Sequence, residues 1–236
     1  MTTKALPSRR IQSLSGENEH VTQMAVEEDK AGCFVVNLRI FAEAMVHAVL
    51  AKCSVTHGHC QRVAIISYTA AHGLGLKQKQ ANYYYIAGLL HDIGKIGLSD
   101  TILIKLRKNE ALTYDEDMAV RRHPHVGAKI IDPLDRIMHS RDGLSRIIMH
   151  HHELYDGTGY PGNLRSSQIP LGARIVSCAD ALSARLERGD TFSESIRYIA
   201  IQESGKYDPK IIAAIEKYRA KAEICLADIS KKLRNA

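Results

Sequence analysis

Of the twelve histidines in this 236-residue chain, six fall between His123 and His152. Their spacing matters more than their number. His91-Asp92 follows the apolar run Ile86-Ala87-Gly88-Leu89-Leu90, so an adjacent imidazole and carboxylate at a helix end can both turn toward one ion. His123 opens His123-Pro124-His125-Val126-Gly127, and His150-His151-His152-Glu153 follows. Asp180 lies at the edge of the apolar stripe Ile175, Cys178, Ala179, Leu182 and Leu186, where a partly buried carboxylate needs a cation or hydrogen-bond partners. Imidazole and carboxylate together suit Fe, Mn, Zn or Ni rather than a thiolate zinc site. Two such ions roughly 3.5–4 Å apart stabilise both the attacking and the leaving oxygen in phosphoester hydrolysis. Taken singly, each element also has a bland reading. A His-Asp pair is commonly a surface or capping pair, a His run is commonly solvated, and Asp180 could pair with Arg174 or Arg185. The joint pattern favours the metal reading.

Helices must position these groups. Val36, Ile40, Met45, Ala48 and Val49 mark one amphipathic face. A second helix is predicted over roughly 58–72, stopped by Gly73 and Gly75, and a third over about 80–92, stopped by Gly94 and Gly97. Thr113-Tyr114-Asp115-Glu116 and Thr191-Phe192-Ser193-Glu194 are capping boxes, and Asp208-Pro209 reads as N-cap plus first helical residue. No stretch alternates long enough for a sheet. The expected fold is all-α, a bundle of about eight to ten helices with the metal site in its core. Residues 156–167 form the longest loop-like segment, rich in turn formers. Residues 1–30 are polar without a sustained period and read as a mobile tail, leaving 31–236 as the domain.

Composition narrows the function classes. The chain is 45% hydrophobic and 25% charged, ordinary for a globular protein. The most apolar stretch, Cys33 to Ala51, is broken by Asn37, Arg39, Glu43 and His47, so no membrane span is expected. The start, Thr2-Thr3-Lys4, has no signal-peptide core, so the cytoplasm is the expected location. Cys33, Cys53, Cys60, Cys178 and Cys225 form no CxxC pair and read as reduced, mostly buried thiols. A net charge of +6 can steer phosphate-bearing ligands. With scattered basic residues, no Trp and three Phe, no DNA or RNA partner is expected.

Longer segments resemble the HD-GYP family of phosphohydrolases. Leu90-His91-Asp92-Ile93-Gly94-Lys95-Ile96-Gly97 resembles its HD signature, and His151-His152-Glu153-Leu154-Tyr155-Asp156-Gly157-Thr158-Gly159-Tyr160-Pro161 matches HHExxDGxGYP at every fixed position. Thr56 to Val63 resembles TxGHxxRV. Leu112-Thr113 with His123-Pro124 and Gly127 matches LT…HPxxG. Ile169 to Ile175 with Ala179-Asp180 matches IPLxARI…AD, and Gly205 to Pro209 is similar to GxxFDP. The resemblance runs from about residue 33 to 220. It implies a helical bundle that hydrolyses a cyclic dinucleotide, chiefly cyclic di-GMP, to the linear dinucleotide or GMP by a metal-bridged hydroxide. It implies His59, His91, Asp92, His123, His151, His152 and Asp180 as metal ligands, with Asp92 bridging two divalent ions. Lys95 would contact the scissile phosphate and Tyr160 would shape the loop over the substrate. Glu153 and Asp156 would orient imidazoles and the loop. The leaving oxygen's proton could come from a water, His125 or His150. A signalling-protein partner at the GYP loop and a homodimer are further expectations.

The chain departs from the family pattern at three places. Some members carry a Glu four residues before the upstream His; here it is Val55, so two ions are expected, not three. The usual Lys-Pro-Gly before Leu112 is Lys105-Leu106-Arg107. After Asp180 the family continues DxxDALTSxRxYR. This chain reads Asp180-Ala181-Leu182-Ser183-Ala184-Arg185-Leu186-Glu187-Arg188-Gly189-Asp190-Thr191-Phe192. Ser183 replaces the second Asp, Gly189 the Arg, and Phe192 the later basic residue. Arg185 and Arg188 are the candidate substitutes for gripping substrate. A metal-binding module with weak turnover, or a hydrolase for cyclic GMP-AMP or another nucleotide, is the alternative reading.

Overall fold

A computed structural model describes residues 32–50, 56–138 and 143–234. The expected N-terminal tail and Val55 lie outside the described residues. Among those residues all regular structure is helical, as expected: eleven α-helices and two short 3-10 turns.

α1 (Gly32–Leu50), α2 (Thr56–Gly73) and α3 (Gln78–Leu90) come first, and a 3-10 turn over Ile93–Gly97 follows directly. Then come α4 (Asp100–Lys108), α5 (Tyr114–Val120), α6 (His123–Met138) and α7 (Leu144–His150). A long irregular segment, ending in a 3-10 turn at Ser166–Gln168, leads to α8 (Leu171–Glu187), α9 (Phe192–Ile201), α10 (Pro209–Lys217) and α11 (Arg219–Arg234).

Local signals place most helix starts. Thr113 and Thr191 close the expected capping boxes with Glu116 and Glu194. Asp208 caps α10 by accepting from Lys210 N, with Pro209 in the first turn. The helix count exceeds the expected eight to ten because α4 and α7, at nine and seven residues, are too short to show a clear period. α4 did carry a signal, with Ser99 at its N-cap and Asn109 left-handed at its C-cap, φ 53°. α7 carried none nearby. Its cap comes from α6, where the Asp135 carboxylate accepts from Leu144 N and Ser145 N, both at 2.7 Å.

α2 is the central helix and packs against α3, α8, α10 and α11. Val63, Ala64, Ile66, Ala70 and Ala71 on it are buried with Leu89, Leu90, Ile147, Ile175 and Leu182 from its surroundings. The apolar core therefore lies directly beneath the ends of α3 and α7, so residues at those ends are fixed from below. Cys60, Cys178 and Cys225 are buried thiols. No described helix is long and apolar enough to cross a membrane.

The turn after α3 packs on α6, and Gly94 makes that possible. A Cβ at Gly94 would collide with the His123 carbonyl oxygen and Gly127 N, which are backbone atoms that cannot swing away. Gly94→Ala is expected to cost about 1–3 kcal/mol through forced displacement of α6. Denaturant unfolding would show a lowered midpoint at constant m; a wild-type midpoint would refute the contact.

Candidate metal centre

Three histidines stand just past helix ends, and each is aimed by the helix it follows. Nδ1 of His91 lies 2.7 Å from Gly88 O, Nδ1 of His123 lies 2.7 Å from Val120 O, and Nδ1 of His151 lies 2.7 Å from Ile148 O. These are carbonyls of the last turns of α3, α5 and α7, which have no partner within their own helices. A carbonyl only accepts, so Nδ1 carries the proton. In the neutral ring Nε2 then presents its lone pair, the arrangement found in metal-bound histidines. All three imidazoles are buried.

Those lone pairs converge on the Asp92 carboxylate, which is 2% exposed. Asp92 Oδ1 is 3.2 Å from His123 Nε2. Asp92 Oδ2 is 3.3 Å from His91 Nε2 and 3.9 Å from His59 Nε2. The two oxygens of one carboxylate thus face two different groups of ligand atoms. On one side His123 Nε2 is 3.3 Å from both His151 Nε2 and His152 Nε2. On the other, Asp180 Oδ1 is 3.0 Å from His59 Nε2 and 4.0 Å from His91 Nε2. His123, His151 and His152 form one set whose ligand atoms lie within 4.8 Å of one another; His59, His91 and Asp180 form a second.

The electrostatics favour a cation. Burial alone would raise Asp92, yet the Lys95 ammonium beside it holds its carboxyl well below the usual range. Burial likewise works against Asp180, but His59 holds it low. Burial pushes His151 well down and His152 down to about 4, so both rings are neutral at pH 7. His59 goes the other way: burial opposes its charge, but Asp180 and Glu187 outweigh that and raise it to about 9. An ion held there must displace a proton. With the protons on Nδ1, the Nε2 atoms of His123 and His151 cannot hydrogen-bond each other across 3.3 Å. Buried His91 Nε2 has no hydrogen-bond partner, and with the ring's proton on Nδ1 its 3.3 Å approach to Asp92 Oδ2 brings lone pair against lone pair. Such contacts are repulsive without positive charge between them. The residues therefore fit divalent ions of the borderline class.

Every expected ligand is thus brought to one place. Lys95 joins them, its Nζ 2.5 Å from Asp92 Oδ2. Tyr160 stacks on His152, ring centroids 4.8 Å apart and 19° from parallel, and the Arg121 guanidinium lies 5.0 Å from the Tyr160 centroid. Arg121 carried no motif signal. Of the two candidate proton donors, His125 is exposed at the start of α6, whereas His150 Nδ1 faces Glu153 Oε1 at 3.6 Å.

Other expectations need correction. Glu153 was expected to orient imidazoles as well as the loop; the imidazole it faces is His150, outside the two ligand sets, and its buried carboxylate accepts from Gly162 N at 2.5 Å and Leu164 N at 3.0 Å. It pins the far end of the GYP loop. Asp156 serves the loop too, accepting from Thr158 N and Oγ1. Gly159 is required where the loop folds back, because a Cβ there would strike Leu154 N, Glu153 Cα and His152 O. Arg185 is not turned to the cluster. Five residues beyond Asp180, it lies about 140° around α8, paired with Asp190 and lying 3.7 Å from the Tyr198 ring centroid. Arg188 is exposed at the C-cap of α8. Gly189 forms a left-handed turn at φ 97°, and Phe192 is buried. Asp180 pairs with His59, while Arg174 is engaged by Asp208 at 2.5 Å.

Sequence reading missed the groups behind His59. Ser183 Oγ is 3.0 Å and Glu187 Oε1 3.4 Å from His59 Nδ1, and Arg62 bonds both of them. Asp180, Ser183 and Glu187 stand at i, i+3 and i+7, one face of α8. Ser183 was marked only as a departure from the family pattern and Glu187 not at all, because helix spacing alone fits any amphipathic helix.

A family model described as an HD domain matches residues 43–211. The cyclic di-GMP phosphodiesterase response regulator RpfG of Xanthomonas campestris pv. campestris is 34% identical over 176 residues, covering 72% of this chain and 45% of RpfG. The 3'3'-cGAMP-specific phosphodiesterase 2 of Vibrio cholerae serotype O1 is 33% identical over 187 residues, covering 75% of this chain and 35% of that protein. The chain thus spans less than half the length of these relatives. Among solved structures, a HDG"Y"P protein of Bdellovibrio bacteriovorus is 25% identical, with a TM-score of 0.53, over 69% of this chain and 51% of that one.

The loop clamp yields a test of its own. Glu153→Ala strands the amides of Gly162 and Leu164, a loss of about 1–3 kcal/mol. Hydrogen exchange at those two amides should quicken several-fold or more while that of core α2 stays unchanged. Unaltered exchange at both would show that Glu153 does not hold the loop.

Proposed function

This chain belongs to the HD domain family, in its HD-GYP branch, and we propose that it is a metal-dependent phosphodiesterase acting on a cyclic dinucleotide. The observation that carries the reading is the Asp92 carboxylate, whose two oxygens face two separate sets of imidazole and carboxylate ligand atoms. Relatives named for cyclic di-GMP and for 3'3'-cGAMP supply the substrate class. His123, His151 and His152 would hold one ion and His59, His91 and Asp180 the other, with Asp92 shared. Fe or Mn suits this set best, and Zn or Ni is compatible with it.

Bound, such ions supply Lewis acidity, lowering the pKa of a water and neutralising charge at phosphorus. The chain's own residues supply the rest. Lys95 keeps its proton: burial opposes it, but Asp92 holds its ammonium raised, so a positive charge stands at the site as phosphoryl oxygens gain negative charge. Tyr160 stays a protonated phenol because burial raises it, and its ring, stacked on His152, forms a wall beside the reacting phosphate.

The departures after Asp180 favour a second reading. Gly189 is a turn residue, Phe192 is buried and Arg185 is tied to Asp190, so the basic grip of the family pattern is missing there. That arrangement fits a catalytically weak module that binds the nucleotide or a signalling partner, or a hydrolase for a different cyclic dinucleotide. Exposed Thr158, Pro161 and Asn163 on the GYP loop are the surface a signalling protein would meet, and exposed Ile40 and Phe41 on α1 the surface a homodimer would use.

Anaerobically purified protein with Mn(II) or Fe(II) is expected to convert cyclic di-GMP or 3'3'-cGAMP to linear dinucleotide or mononucleotide, followed by chromatography. Chelation should abolish turnover and added metal restore it, and Asp92→Ala should be inactive. Lys95→Ala should lower kcat about 10²–10³-fold. No product from either substrate by metal-replete protein would contradict the enzyme reading and favour the binding module.

A further inference from the structure

His59 differs from the other ligand imidazoles in how its outer nitrogen is held. His91, His123 and His151 each donate from Nδ1 to a carbonyl at the end of a preceding helix. His59 lies in the first turn of α2, where the orphan backbone groups are amides, not carbonyls. Among the described residues its Nδ1 is met by side chains. It faces Ser183 Oγ at 3.0 Å and Glu187 Oε1 at 3.4 Å, both on the Asp180 face of α8. Arg62, one turn beyond His59 on α2, donates from Nε to Ser183 Oγ at 3.1 Å and pairs with Glu187. The serine, the carboxylate and the guanidinium brace one another across the α2–α8 interface.

We propose that Glu187 is the positioning residue of His59, supplying through side-chain charge what helix-end carbonyls supply to the other imidazoles. A carboxylate behind an imidazole fixes the ring's orientation and tautomer and makes Nε2 a stronger ligand. The family pattern quoted above places Asp at 183 and Ser at 187. This chain has Ser at 183 and Glu at 187, so its carboxylate stands one helical turn further along α8, and both positions lie within reach of His59 Nδ1. The exchange is compensated within the molecule and explains how the His59–Asp180 set survives loss of the second aspartate. Arg62 is the group that holds Glu187 turned inward, although the Glu187 side chain is 37% exposed.

This inference rests on the metal reading, and one experiment separates their failures. Metal-free protein is titrated anaerobically with Mn(II), with stoichiometry from elemental analysis and affinity from chelator competition. The wild type should bind two ions; binding none would overturn the metal reading itself. Glu187→Ala should weaken one of the two about 10–100-fold and leave the other unchanged. Ser183→Asp introduced into Glu187→Ala should restore the lost affinity, a rescue that a merely structural role for Glu187 would not give. Two ions at wild-type affinity in Glu187→Ala, or a loss that Ser183→Asp fails to reverse, overturns the proposal.

Discussion

The structure depends on one constraint: a buried carboxylate surrounded by imidazole lone pairs needs positive charge, and the fold spends its helix ends arranging that meeting. Asp92 is 2% exposed and five imidazoles, those of His59, His91, His123, His151 and His152, crowd beside it in two sets. Each of three helices ends short, leaving orphan carbonyls that the following histidine satisfies with Nδ1. The same hydrogen bond that caps the helix aims the ring. Helix termination and ligand orientation are therefore one event, and the apolar core beneath α2, α3, α7 and α8 keeps those ends in place. The carbonyl ends of the helices also carry partial negative charge, which favours a cation nearby.

The GYP loop is the second consequence. It begins at His151 and His152, so its first residues are fixed by the cluster. Its other end is fixed by Glu153, whose carboxylate takes two loop amides, and its middle by Tyr155 N on Lys206 O at 2.7 Å. Asn163 Nδ2 donates to Gly159 O at 2.7 Å within the loop. Tyr160 is consequently a fixed wall, stacked between His152 and Arg121. A glycine-rich stretch is thus made firm by hydrogen bonds to its backbone, and the glycines allow the close approach rather than motion.

Much of this was legible in the sequence, for physical reasons. Helix-start chemistry is local, so Thr113, Thr191 and Asp208 announce their helices within four residues. The HD and HHE…GYP segments announce candidate ligands because chemistry restricts residue type at fixed spacing. What failed to show was long-range. Asp135 caps α7 from another helix, so nothing near Gly143 signals it. Glu153 adjoins the histidines in sequence but turns to the loop in space. Arg185 looked like a grip because it is basic and close to Asp180 in number, yet helical geometry carries it to Tyr198. Glu187 stands at a helix end with nothing near it in sequence to mark it, and only the packing of α2 on α8 brings it behind His59.

The most direct test of the account is where ions sit. Crystals of anaerobically prepared protein loaded with Mn(II), measured at the Mn absorption edge, would give an anomalous-difference map. The account predicts two peaks flanking the Asp92 carboxylate, one among His123, His151 and His152 and one among His59, His91 and Asp180. A map of fully loaded crystals with no peak at Asp92, or with a single peak that leaves one of those sets without an ion, would contradict it.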